Sequence, residues 1–483
     1  MTKATISIVS GAALLSGCAT VENVVAGPPN DIEATAPDAP DAYAAGETPA
    51  GAPEADWLAQ FDDPVIAELV SETLAANPTL AASAANVRAA RQTARAVYGR
   101  SLPSVSADVS GGYTSQFIDI DSIGVTDRQN EPAYRAQLSA SWEADLWGRL
   151  ADGIKAARAD LAATDADLAA AALSLSAQTA SAWIDLNEAV AQERVAILTL
   201  ESRQRVLDLT ERRFARGLST ALDVRTARTQ VATSEAAIAA QERAKGAAAR
   251  RLEILLGRYP AAAMDASGAL PDLPPLASAG DPLSLLARRP DIAASEARVA
   301  AAGFRVDAAR AAMLPAFRIT ATASSTEDMI SDFLDPSRTT ANIVGAIAAP
   351  LFQGGALRAD KNAAIARAEA AAANYVAAVF TAWREVEDAI QADQTFELQV
   401  RAQARALEEA VLAEDLALRQ YENGLVSIFN LLQSQTTRLN TESNLIAARA
   451  ARATNRVSYH LALGGGVPVP AAQPTGRAGE SET

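Results

Sequence analysis

The amino-acid sequence predicts a mostly α-helical chain that also lends strands to a transmembrane β-barrel, and three observations lead there. One helix–strand–strand–helix–helix unit is written twice. Within each copy the hydrophobic period switches from helical to alternating and back again. The two copies together offer only four strands, too few to close a barrel without help.

The duplication is carried by particular residues. Asn77-Pro78, Ala81-Ala82-Ser83 and Leu102-Pro103 return as Arg289-Pro290, Ala293-Ala294-Ser295 and Leu314-Pro315, each displaced by 212 positions. Arg216-Gly217-Leu218 and Leu256-Gly257 return as Asn423-Gly424-Leu425 and Leu463-Gly464, displaced by 207. The first repeat spans 56–268, with strands at about 104–117 and 132–146. The second spans 269–466, with strands at about 316–326 and 339–351. A proline-bearing linker, Pro260 to Pro282, separates them.

Bulk properties narrow the function classes. The 483 residues carry 58 acidic against 42 basic side chains, a formal charge of -16 that opposes binding to nucleic acid phosphates. Apolar residues make up 49% but aromatics only 5%, a balance that suits closely spaced alanine-rich helices better than a thick core.

The N-terminus reads as an address. Lys3 followed by the short apolar run Ile6 to Leu15 is too brief to span a bilayer and reads as a signal peptide, 1–17, to be removed. Its end, Leu15-Ser16-Gly17-Cys18, resembles the lipobox of bacterial lipoproteins, which implies lipid attachment at Cys18. Cys18 is the only cysteine, so no disulfide can form within the chain. The next residue, Ala19 rather than aspartate, resembles the pattern sorted to the outer membrane. Residues 18–55, rich in Ala, Pro, Gly, Asp and Glu, then read as a lipidated tether, and 467–483 as a disordered tail.

Three helix lengths follow in each copy. In the first, Asn77 to Leu102, Gly148 to Arg216 and Ser219 to Gly257 hold about 26, 69 and 39 residues. At ~1.5 Å per residue the long one reaches roughly 100 Å, which the two shorter ones match end to end. The second copy repeats the plan with Pro290 to Leu314, Ala356 to Glu422 and Ser427 to Leu463. Leu161, Leu168 and Leu175, and Leu425, Leu432, Leu439 and Ile446, stand seven apart and predict coiled-coil seams. Gly217 and Gly424 end the long helices and turn them into hairpins.

The strands carry the membrane argument. From Tyr134 to Leu146, apolar residues alternate with Arg135, Gln137, Ser139, Ser141, Glu143 and Asp145. A β segment of ~9–11 residues spans a bilayer with lipid on one face and water on the other. A soluble sandwich strand alternates in the same way, so the pattern by itself leaves both open. Inside hydrocarbon every backbone N–H and C=O needs a partner, so four strands must be completed by further copies. Two copies would supply eight strands and three would supply twelve.

Five motifs carry a family resemblance. Trp57 to Phe61-Asp62-Asp63-Pro64, Asn77-Pro78-Thr79-Leu80, Arg288-Arg289-Pro290-Asp291-Ile292, Pro350-Leu351-Phe352-Gln353-Gly354-Gly355 and the paired Gly-Leu turns together resemble the TolC-like outer-membrane factors, of the lipidated NodT and OprM type. The resemblance implies a homotrimer with a twelve-stranded outer-membrane barrel and a periplasmic α-helical barrel. It implies an exit duct for small toxic solutes, joined through a periplasmic adaptor to an inner-membrane RND transporter. Matched to the family pattern, Tyr421, Phe429, Gln433 and Asp223 stand at a periplasmic aperture, with seam packing the alternative for Tyr421 and Phe429. Gln433 replaces the family's frequent aspartate, which weakens any inference of an acidic ring. Gly217, Leu218, Gly424 and Leu425 match the grooves where adaptor tips dock.

Sites for chemistry are declined. His460, the sole histidine, has no ligand partner at metal spacing and reads as structural. Glu143 and Asp145 share a strand face and read as solvated lumen charge; Glu385 and Glu387 diverge on a helix. Gly464-Gly465-Gly466 follows a helix rather than opening one, so it is no phosphate cradle. Neither a metal, a cofactor beyond the Cys18 lipid, nor an enzymatic constellation is expected. Two rival readings stay open: a duct for type I protein secretion, and a periplasmic coiled-coil lipoprotein that is not a channel.

Overall fold

The computed structural model describes residues 37–46, 49, 51, 57–120, 125–327, 329 and 336–465. Cys18, the signal segment and the 467–483 tail therefore lie outside the described residues. After a 3-10 turn at Trp57–Phe61 the chain forms α1 (Pro64–Ala76), α2 (Pro78–Gly99), β1 (Ser104–Ile120), β2 (Val125–Ala144), α3 (Arg149–Ala215) and α4 (Ala221–Leu255). The second repeat follows with α5 (Pro282–Arg288), α6 (Pro290–Ala311), β3 (Ala316–Glu327), β4 (Thr340–Ala348), α7 (Ala356–Glu422) and α8 (Ile428–Ala462). The two long helices are equal at 67 residues, and their hairpin partners are equal at 35.

Strand ends depart from expectation for identifiable reasons. β2 stops at Ala144 because Asp145 turns back to cap α3, its Oδ2 accepting from Ala151 N at 2.7 Å. β4 stops at Ala348, ahead of Pro350, which has no N–H to extend a ladder. β1 and β2 are longer than expected at their shared turn, pairing as far as Ile120 with Val125.

Two compact units cut across the duplication, each drawing segments from both repeats. The first contains Val87–Thr164 and Ser295–Tyr375. Its sheet runs β1-β2-β3-β4, antiparallel throughout. Register places Val105 opposite Ala140, Trp142 opposite Ile319, and Phe317 opposite Ile347, so Val105, Val109, Leu138, Trp142, Phe317, Ile319, Ile343 and Ile347 share one face, while Val344 falls on the other, opposite Thr320. Val105, Val109, Tyr113, Ile343 and Ile347 on that face are exposed. The opposite face carries Ser106, Asp108, Gln137, Ser139, Thr320 and Thr322. Beside the sheet, α6 and α7 pack through Ala302, Val306, Ala364 and Ala368, small enough to bring helices close.

The second unit contains Ala36–Asn86, Asp165–Ala294 and Val376–Thr483. Its core gathers Trp57, Phe61, Ile66 and Val70 around Ala180, Trp183 and Ile184 of α3, with Leu252 and Leu256 at the end of α4 and Val457 of α8. Asp63 starts α1: Oδ1 accepts from Val65 N at 3.0 Å, while Oδ2 accepts the Trp183 indole N–H at 2.7 Å. Equivalent joints close each repeat. Asn77 Nδ2 donates to Leu255 O at 2.8 Å, and its counterpart Arg289 donates through Nη1 to Ala462 O at 3.0 Å, 207 positions beyond Leu255.

The described tether residues make specific contacts. Tyr43 is buried, and the N–H groups of Ala44 and Ala45 donate to Glu387 Oε1 and Oε2 at 2.8 and 2.7 Å. One predicted seam also shifts: Leu425 lies outside α8 and is exposed, whereas the buried stripe of α8 runs through Ile428, Leu431, Gln435 and Leu445.

Candidate functional site

The two hairpin tips share one geometry because each long helix ends in the same way. Gly217 and Gly424 both sit at φ 74°, where an L side chain would crowd the backbone. Past each glycine the chain folds back onto the last turn. Leu218 N donates to Arg213 O at 2.9 Å and Leu425 N to Gln420 O at 2.8 Å. This closure satisfies carbonyls that the helix leaves open, and it holds Leu218 and Leu425 outward, 62% and 75% exposed. Each tip therefore presents an apolar side chain on a stiff turn.

The helices after the turns start differently. Thr220 caps α4 through a reciprocal pair: Thr220 Oγ1 accepts from Asp223 N at 3.2 Å, and Asp223 Oδ2 accepts from Thr220 N at 2.9 Å. The Ser219 hydroxyl also donates to Asp223 Oδ2, at 2.8 Å. Partial burial would raise the Asp223 pKa, but these donors outweigh it and hold the carboxyl below its usual range. Ser427, the equivalent cap of α8, makes no side-chain cap bond.

Tyr421 faces into the protein. It is 3% exposed, packed with Val206, Ala227, Ile428, Leu431 and Leu432, and its OH shares a 3.0 Å hydrogen bond with Thr210 Oγ1. Arg213 covers the Tyr421 ring, 4.9 Å from its centroid, and donates through Nη1 to Tyr421 O and Glu422 O, both at 2.9 Å. The last turn of α3 thereby ties down the end of α7. Phe429 and Gln433, one helical turn apart on α8, point away from this cluster and are exposed. The four aperture candidates thus split: Tyr421 and Asp223 are engaged in internal bonds, and Phe429 and Gln433 are presented outward.

Sequence reasoning missed Arg213 and Thr210. The signal for Arg213 was present: a cation in the last turn of a helix, four residues before the terminating glycine. Its cross-repeat partner could not be read, because position 420, its counterpart in the second copy, is a glutamine.

The declined sites have structural partners. His460 is 1% exposed, stacked on Trp57 at 5.6 Å, with Nε2 3.0 Å from Gln60 Oε1. Burial first, and the Arg456 charge second, push its imidazole down to about 4. Glu143 is not the free lumen charge expected: Arg149 Nη2 lies 2.6 Å from its Oε1. Asp145 caps α3 as described. Glu385 accepts from Arg289 Nη1 at 2.7 Å. Among the described residues no cluster of histidine, cysteine and carboxylate groups could hold a metal ion, and no helix is long and apolar enough to cross a membrane.

A four-stranded sheet with one exposed apolar face, joined to paired helical hairpins with matching tips, is the fold of the TolC-like outer-membrane channels. Comparison with known proteins agrees. The family model described as outer membrane efflux protein matches residues 69–258 and 282–465, and the chain belongs to that family. It is 30% identical over 471 residues to the pyoverdine export outer membrane protein OpmQ of Pseudomonas aeruginosa, covering 96% of this chain and 98% of the relative. It is 28% identical to the cation efflux system protein CusC of Escherichia coli, covering 85% of this chain and 88% of the relative. Among solved structures the outer-membrane channel OprN superposes with a TM-score of 0.80 at 28% identity, over 90% of this chain and 99% of that one. The chain is an outer-membrane efflux channel.

Proposed function

We propose that three copies of this chain close their sheets into a twelve-stranded outer-membrane barrel and their helices into a periplasmic duct. A periplasmic adaptor docks at the hairpin tips and connects the duct to an inner-membrane RND transporter, which supplies small toxic solutes. The observation that carries this reading is the sheet order: β1 and β4 end a sheet whose apolar face is exposed, and hydrocarbon tolerates no unpaired strand edge. Export is passive. The chain binds no resident cofactor and performs no catalytic step; the transporter supplies the work, and polar faces let solute pass without tight binding.

Cargo is chosen upstream of the duct. Relatives of similar identity are named for pyoverdine and for cations, so a shared channel body serves chemically unlike solutes. Cys18 carries the lipid that anchors the mature N-terminus to the outer membrane, and Glu387 holds the tether at Ala44 and Ala45.

The test is the mass of the full mature chain in detergent micelles. Three protein copies per particle are expected; a stable monomer would refute the closed barrel.

A further inference from the structure

The inner strand pair of the sheet makes a contact that its two edges lack. Where β2 runs out, the chain meets the start of β3 at once. Trp147 donates its indole N–H to Pro315 O at 2.7 Å, its ring lies 6.5 Å from that of Phe317, and Leu146 and Trp147 line one cavity with Leu314 and Pro315. Leu314-Pro315 is the second copy of Leu102-Pro103, and Phe317 stands where the first copy has Val105. Leu146-Trp147 likewise has a counterpart. Leu351-Phe352 occupies the same place between the second strand of its repeat and the long helix that follows.

That counterpart meets no strand start within its own chain. Leu351 is 95% exposed and Phe352 88%, while Leu102, just before the other edge strand, and Val105, within it, are also exposed. One contact is made internally, and its two halves are left over at β4 and β1.

We propose that Leu351 and Phe352 of one protomer pack on Leu102, Pro103 and Val105 of a second copy, repeating between chains the contact that Trp147 makes within one. The proposal rests on the closed-barrel reading above and names the surface that closes it. Such a contact joins different patches on the two partners, so it propagates head to tail and ends only when the ring shuts. Side-chain parity agrees. Pairing β4 with the next β1 in the sense that β2 pairs with β3 keeps Ile343 and Ile347 on the face of Val105 and Val109. A slip of one residue would set them among Ser104, Ser106 and Asp108 instead. Phenylalanine in place of tryptophan gives up the indole donor, so the contact between chains is purely apolar.

The test uses the full chain in membranes, with a short bismaleimide and denaturing electrophoresis. Phe352→Cys combined with Leu102→Cys should give covalent dimers and closed trimers, while either single variant, and Phe352→Cys with Ser104→Cys on the opposite face, should not. Trimers seen on a native gel without crosslinking of the first pair overturn the contact but spare the closed barrel. Absence of any oligomer in the unaltered chain overturns both. Independently of crosslinking, Phe352→Ala should lower the temperature at which trimers dissociate by several degrees, and an unchanged temperature counts against the proposal.

Discussion

Arg213 lends its charge to the end of a helix other than its own. The guanidinium donates to the carbonyls of Tyr421 and Glu422 in the last turn of α7, where the helix dipole favours a cation, and it covers the Tyr421 ring. Hydrogen bonds from a charged group are each worth about 1.5–3 kcal/mol. Arg213→Ala should therefore expose the α7–α8 turn to hydrogen exchange, with protection at Gly424 and Leu425 falling roughly tenfold or more, while α6 keeps its protection. Unchanged exchange at those amides would remove Arg213 from the joint. His460 gives a pH-dependent signature at the same scale. Its imidazole titrates near 6.5 when unfolded but only at about 4 when folded, so the unfolded chain binds the proton first. Stability is then full above about pH 6.5 and is lost as pH falls toward 4, by about 2 kcal/mol between pH 7 and pH 5. Thermal midpoints measured at the two pH values should lie closer together in His460→Gln than in the parent chain.

At the scale of elements, the hairpin turns show how a short motif comes to present an exposed apolar side chain. Gly-Leu was legible as a helix stop because glycine, with no Cβ, accepts the left-handed geometry at least cost. What the turn does to leucine followed from backbone bonds that reach back to residues 213 and 420 and leave both side chains outside. Leu218→Asp with Leu425→Asp should abolish capture of the adaptor by photocrosslinking in cells and leave the micellar mass unchanged, because neither side chain is packed. Loss of oligomer in that variant would assign the tips to assembly instead. The boundaries of the six helices read from the sequence were legible to within about four residues, since prolines and glycines punctuate them, whereas the short α1 and α5 were not read. The strand ends were less so: the far end of β2 was read two residues too late, because Asp145 continues the alternation while its carboxylate serves the next helix. The leucine spacing misled in the same way at Leu425, where a seven-residue period runs past the point at which the helix has ended.

Across the whole molecule, duplication determines which surfaces are satisfied internally and which are not. The joints at Asn77 and Arg289 differ in chemistry yet grip equivalent carbonyls, Leu255 O and Ala462 O, so the repeat is preserved in position rather than in residue type. The same logic leaves Leu351 and Phe352 uncovered in a single chain. By itself the sequence determined the duplicated plan, the helices, the two-faced strands and the need for further copies, because periodicity, proline and glycine act locally and hydrocarbon forbids an open sheet. Only the tertiary structure decided which side chains of the hairpin tips are spent inward and which are offered outward. Tyr421 and Phe429 carry similar rings at similar places in the sequence, but burial depends on Val206, Thr210 and Arg213, more than two hundred residues away, and no local pattern encodes that distance.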